Sequence, residues 1–227
     1  MNDLGARIAS LSIGLATAIV IVALAILPFL TPQWVASEQG RASATAWTGF
    51  STEQLRLATD AILSDLVLGG DFAVGINGTP VLNEREQAHM TDVRVVFRGL
   101  WILAAISAVI LLAATRRSDR ARTWRAVRRG ALGLTVGVVV LGVVGAVAFD
   151  QLFELFHRVF FPAGSYLFDP ATDRLVQLFP FQFWDETAML AGGLIIAAAL
   201  IVAFIAGRRA ERSEMTGPAP DPTPDRA

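Results

Sequence analysis

The chain has no cysteine, only two histidines, and few charges for its length. Without cysteine there are no disulfides and no thiol nucleophile, so packing and hydrogen bonds must hold any loop that stands in water. Charged residues make up 17% of the 227 residues, against about a quarter in a soluble domain. They are also segregated, leaving long uncharged runs. The sequence has no Gly-x-Ser-x-Gly, no His-Glu-x-x-His and no glycine-rich phosphate loop after a strand. Serines occur, but none stands in a recognisable nucleophile setting.

What the chain has in plenty is apolar sequence. A bilayer core needs about 20 apolar residues per helix. Four runs meet this: about Ile8–Leu30, Val93–Thr115, Gly130–Phe149 and Thr187–Gly207. The first is too long for the roughly 7–15 residues of a signal-peptide core, so a retained helix is expected despite the small residues that follow it. Arg94 and Arg98 open the second run and can snorkel to the headgroups. The net charge of −1 hides an asymmetry. The connection "RRSDRARTWRAVRR" carries seven arginines against one aspartate, Arg7 precedes the first run, and Arg208, Arg209 and Arg212 follow the fourth. By the positive-inside rule these regions face the cytoplasm. Both termini are then inside and the two other loops outside. Topology accounts for the arginines without a nucleic-acid partner.

The sequence therefore predicts an all-α membrane protein of four transmembrane helices with a small extracytoplasmic cap of helices and short strands. Residues 1–212 form a single membrane domain, and residues 213–227, rich in proline and aspartate, a disordered cytoplasmic tail. The cap comes from loops 31–92 and 150–186. In the first loop, Ser51 and Gln54 have capping-box spacing before "LRLATDAILSDLVLGG", with Leu55, Ile62 and Leu66 on one helical face. "FAVGINGTPVL" reads as two short strands about an Asn77-Gly78 turn. Asn83 can cap a further helix with Glu86 at its third position, and "EREQAHMTDV" runs from there into the second span. In the second loop, nine of the fourteen phenylalanines lie between Phe149 and Phe183. An interfacial belt needs only a few rings per crossing. This density predicts a loop that lies on the bilayer or lines an apolar hollow. Gly133 and Gly137 have the spacing that lets membrane helices approach closely.

This topology puts both histidines on one side at similar depth. His89 stands at the outer start of the second span and His157 beyond the third, among Phe153, Phe156, Phe160 and Phe161. Asp92 follows His89 by three residues. Asp150, Glu154 and His157 are spaced to share one helix face, and a carboxylate can fix a histidine tautomer. Two histidines without a nucleophile suit proton transfer in both directions, one accepting from an attacking group and the other supplying a leaving group or steadying an oxyanion.

Two segments resemble the histidine motifs of the lipoprotein intramolecular transacylases. "EREQAHMTDV" is similar to the first, and "DQLFELFHRVFFPAGSYLFDPATDRLVQLFPFQFW" to the second. The second carries His157, Phe160-Phe161, Asp169-Pro170, Asp173 and Phe179-Pro180, and departs at Tyr166, where tryptophan is expected. The resemblance implies acyl transfer within a diacylglyceryl-modified lipoprotein, from its sn-2 ester to the α-amino group of its N-terminal cysteine, giving a lyso form. It implies no cofactor and no metal. His89 and His157 are then the catalytic pair, with Asp92, Asp150, Glu154, Asp169 and Asp173 supporting orientation or charge. Phe153, Phe156, Phe160, Phe161, Tyr166, Phe179, Phe183 and Trp184 form the substrate pocket. Three other readings stay open on the residues alone. The histidines could clamp a haem; His89, His157, Asp92 and Asp173 could hold a metal; or the aromatic cap could dock a partner in a non-enzymatic scaffold.

Overall fold

The computed structural model describes residues 3–116, 119–161 and 164–215. Helix α1 (Asp3–Ile26) passes into a single 3-10 turn at Leu27–Leu30, where Pro28 has no N–H to continue the α-helix. Helices α2 (Pro32–Arg41), α3 (Ala44–Thr48) and α4 (Thr52–Leu68) follow, then strands β1 (Gly75–Ile76) and β2 (Thr79–Pro80). The chain continues through α5 (Glu84–Thr115), α6 (Arg120–Phe160), α7 (Arg174–Leu178) and α8 (Phe181–Met215).

Helices α1, α5, α6 and α8 carry the four apolar runs and are long enough to cross a membrane. The last three overshoot those runs. Helix α5 has 32 residues, about 48 Å at 1.5 Å per residue, against a hydrocarbon core of about 30 Å. The extra turns project into the cap at one end and the arginine-rich region at the other. Helix α8 also carries the chain beyond Ser213, the expected start of disorder. The Ser213 hydroxyl donates to the Arg209 carbonyl at 2.8 Å and Glu214 pairs with Arg125, so the last turns are anchored. Residues 216–227 lie outside the described residues.

Within the bundle, α6 and α8 run along each other, and α1 packs against α5, α6 and α8. Small residues make the seams: Ala126, Ala131, Ala199, Ala203 and Ala206 are all buried. Gly14 of α1 and Gly130 of α6 approach closely, and a Cβ on Gly130 would collide with the Gly14 backbone. Gly133 and Gly137 do not make the close contact that their spacing predicts; nothing lies within 4 Å of where their Cβ atoms would be. Large side chains such as Val139, Val143, Ile201 and Phe204 stand exposed along the outside, as lipid-facing positions do.

The cap folds around its own core. Leu55, Ile62 and Leu66 of α4 meet Phe72, Val81 and Leu82, Met90 of α5, Leu178 of α7, and Phe179 and Phe183 at the start of α8. Both predicted capping boxes form, Ser51 with Gln54 and Asn83 with Glu86. The hairpin turns at Asn77-Gly78, both at positive φ, as its tight primed turn requires. Gln39 of α2 ties the layers, donating to the Leu178 carbonyl at 2.9 Å and accepting from Thr59 at 3.1 Å.

Candidate active site

Helix α5 starts from a doubly anchored turn. Glu86 accepts the N–H of Asn83 at 2.7 Å with one oxygen, and the N–H of Leu175 in α7 with the other. Asp173, just before α7, accepts from Asn83 at 3.1 Å, from Arg85 at 2.8 Å and from the N–H of Asp169 at 2.7 Å. Glu86 and Asp173 are both buried. Together they clamp the second loop onto the first turn of α5, and His89 sits one turn further along.

His157 reaches the same place from α6. That helix is interrupted at Ala148 (φ −147°, ψ 42°), which separates the spanning part from the outer turns. The break falls shortly after Gly142 and Gly145, which weaken the helix locally. On the outer turns, the Nδ1 of His157 lies 2.7 Å from the carbonyl oxygen of Phe153. A carbonyl can only accept, so Nδ1 carries the hydrogen and Nε2 presents its lone pair.

The two imidazoles lie with ring centroids 6.0 Å apart and planes 20° from parallel. His89 is buried against Phe161 at 4.7 Å and Phe168 at 5.4 Å. His157, half-buried, touches Phe153 at 4.3 Å, Tyr166 at 5.1 Å, Phe161 at 5.3 Å and Phe156 at 5.5 Å. The Nδ1 of His89 is buried and has no hydrogen-bond partner. A polar atom left unpaired in such a place is costly, and it is free for a group brought in by a substrate.

The expected supporting residues divide. Phe153, Phe156, Phe161 and Tyr166 wall His157. Phe160 stands one ring further out on Phe156, and Trp184 one ring out on Phe153. Phe179 and Phe183 are in the cap core instead. Among the acids, Glu154 pairs with Arg158 on the exposed side of α6, and Asp150 is exposed. Asp92 is half-buried and makes no ion pair or hydrogen bond with His89 among the described residues. Asp169 caps its own turn by accepting the Ala171 N–H at 2.9 Å. Phe168, Glu86 and Arg85 belong to the site's surroundings although the motifs did not single them out. The guanidinium of Arg85 lies 5.0 Å over the Phe168 ring and holds it toward His89.

This arrangement bears on the other readings. Phe161 stands against both imidazoles, where a porphyrin between them would have to lie. Asp173 is committed to three donors, and among the described residues no three His, Asp or Glu side chains group as metal ligands.

A sequence model described as lipoprotein intramolecular transacylase Lit matches residues 10–184. Three solved structures of that enzyme from Bacillus cereus are similar to this fold. One superposes with a TM-score of 0.73 at 17% identity, covering 93% of this chain and 98% of that one. A form with histidine replaced by arginine gives 0.68 at 17% identity, covering 93% and 95%. A form with histidine replaced by alanine gives 0.67 at 18%, covering 93% and 96%. An uncharacterised protein of Aquifex aeolicus is 28% identical over 134 residues, which span 56% of this chain and 57% of that protein's length. With its match running from α1 to the start of α8 and its four apolar helices, the chain is an integral membrane protein that belongs to the lipoprotein intramolecular transacylase family.

Proposed function

We propose that this protein moves the sn-2 acyl chain of a diacylglyceryl lipoprotein to the α-amino group of its N-terminal cysteine. The observation that carries the reading is the convergence of His89 and His157, from separate helices, in one aromatic hollow. His157 acts as base: with Nδ1–H held by the Phe153 carbonyl, its Nε2 takes a proton from the attacking amine. The amine nitrogen bonds to the ester carbonyl carbon, and the carbon–oxygen bond to the glyceryl sn-2 oxygen breaks. His157 then gives the proton it took to the glyceryl oxygen as it leaves, while the neutral His89 steadies the carbonyl oxygen during the transfer, so both imidazoles end as they began. Ester to amide runs downhill and needs no nucleotide.

Amine and ester belong to one molecule, so the protein's task is to fold a medium-sized ring and move protons. Holding reacting groups together can supply about 7–11 kcal/mol of the barrier. Rings that pack on one another hold such a geometry better than long flexible side chains. The arginine-rich ends of the bundle face the cytoplasm in this reading, and the cap and histidines the opposite side.

The test is mass spectrometry of a lipoprotein's N-terminal peptide, after reconstitution with the purified protein. The N-acylated lyso form is expected with the wild-type chain. Replacing either histidine by alanine is expected to slow its formation by about 10²-fold or more. Undiminished conversion by both variants would remove the histidines from the chemistry and leave the non-enzymatic cap reading in their place.

A further inference from the structure

Far from the histidines, at the arginine-bearing end of the bundle, a groove of about 940 Å³ opens between α1 and α6. Two features of it go together. At its outer lip stand Arg7, Arg122, Arg125 and Arg129, with Asp3 as the single carboxylate. Deeper in, the walls turn apolar, with Leu11, Leu15 and Ala18 on α1 and Gly133 and Leu134 on α6. The spacing of these residues, three or four apart on each helix, puts each set on one face. The groove exists because Gly14 and Gly130 draw the two helices together while Gly133, just beyond, leaves its own side empty.

The charge at the lip is not balanced within the protein. Arg122 pairs with Asp119 at 3.1 Å, and Arg125 pairs with Glu214. Arg7 and Arg129 have no ion-pair partner among the described residues. The chain has no lysine, and the planar fork of arginine matches a phosphate with two parallel hydrogen bonds. From Arg7 to Ala18 is about 16 Å along the helix, close to one leaflet's share of a hydrocarbon core about 30 Å thick.

We propose that this groove binds an anionic glycerophospholipid from the leaflet at the arginine end, its phosphate at the arginines and one acyl chain lying over Gly133. A cationic lip that gives way to a greasy channel one leaflet deep fits a molecule with charge at one end and hydrocarbon at the other. The site is separate from the histidine hollow and does not depend on the reaction proposed there.

The experiment is native mass spectrometry of the full chain in detergent, titrated with phosphatidylglycerol, phosphatidylcholine or sn-glycerol 3-phosphate. Each juxtamembrane arginine contributes enough that the double variant R7Q/R129Q should lose about 10-fold or more in phosphatidylglycerol affinity. The pair R116Q/R208Q, which removes the same charge from the same end outside the groove, should change it by less than about 2-fold. Gly133→Leu keeps every charge, has open space for its side chain and favours helix, yet should also lose binding by filling the groove. Phosphatidylcholine and glycerol phosphate should both bind weakly. Equal losses in the two arginine pairs would show diffuse surface attraction and overturn the proposal. So would full binding by Gly133→Leu, or glycerol phosphate binding as tightly as the lipid.

Discussion

Four residues apart on the outer turns of α6, the imidazole of His157 and the carbonyl of Phe153 meet at 2.7 Å. The spacing of Asp150 and Glu154 pointed to a carboxylate in that role, and spacing was a poor guide because helix faces are wide. Arg158, also on these turns, takes Glu154 for itself. A backbone partner changes what a substitution can test. Asparagine carries an amide near the position of Nδ1 and nothing in place of Nε2. His157→Asn is therefore expected to keep the hydrogen bond to Phe153 and the thermal stability of the wild type, and to lose transacylation by about 10²-fold. Mass spectrometry of the product beside a melting curve in detergent separates the two effects. Equal activity would place the base elsewhere. The histidines themselves were readable from the sequence, since only two exist and both flank apolar runs. Phe168 was not, because nothing in an aromatic-rich stretch says which rings turn inward; that is decided by Arg85, more than eighty positions earlier.

At the scale of elements, the signals that are local in sequence carried over to the structure. Both capping boxes, the Asn77-Gly78 hairpin and the four apolar runs are cases where neighbours in the chain decide the backbone. Long-range contacts were not readable. The Gly133-x-x-x-Gly137 spacing suggested a helix seam, while the seam lies at Gly14 and Gly130, two glycines from different helices that no motif connects. Glu86 was visible as a capping residue, but its second oxygen reaches α7. That second bond ties α7 to the turn from which His89 projects. Glu86→Ala leaves the buried N–H of Leu175 without its acceptor, at about 1–3 kcal/mol, and removes the cap on the more exposed N–H of Asn83. A lowered melting temperature is expected, together with faster amide hydrogen exchange in α7 and the first turn of α5. Unchanged exchange at Leu175 would mean that the clamp does not hold the loop.

For the whole molecule, the proposed arrangement across the bilayer rests on where the arginines sit and on the cap at the other end. The absence of cysteine makes this directly measurable, because a single introduced thiol has no competitor. Gly40 in α2 has open space around it, and Arg120 begins α6 at the opposite end. With the proposed orientation, Gly40→Cys should react with a membrane-impermeant maleimide in intact cells, and Arg120→Cys only after the cells are opened. The reverse pattern would invert the topology and set the histidines on the cytoplasmic face.

The overshoot of α5 and α6 has one more consequence. Both imidazoles are carried on turns that lie past the uncharged stretches of their helices, so in the proposed reaction the ester is met at the headgroup level while its tails hang below. The rings that wall the hollow all belong to the outer turns and the second loop, and none comes from the uncharged stretches. If the proposed reaction holds, such a hollow has no ruler, and short and long chains should be transferred at similar rates in the mass-spectrometric assay.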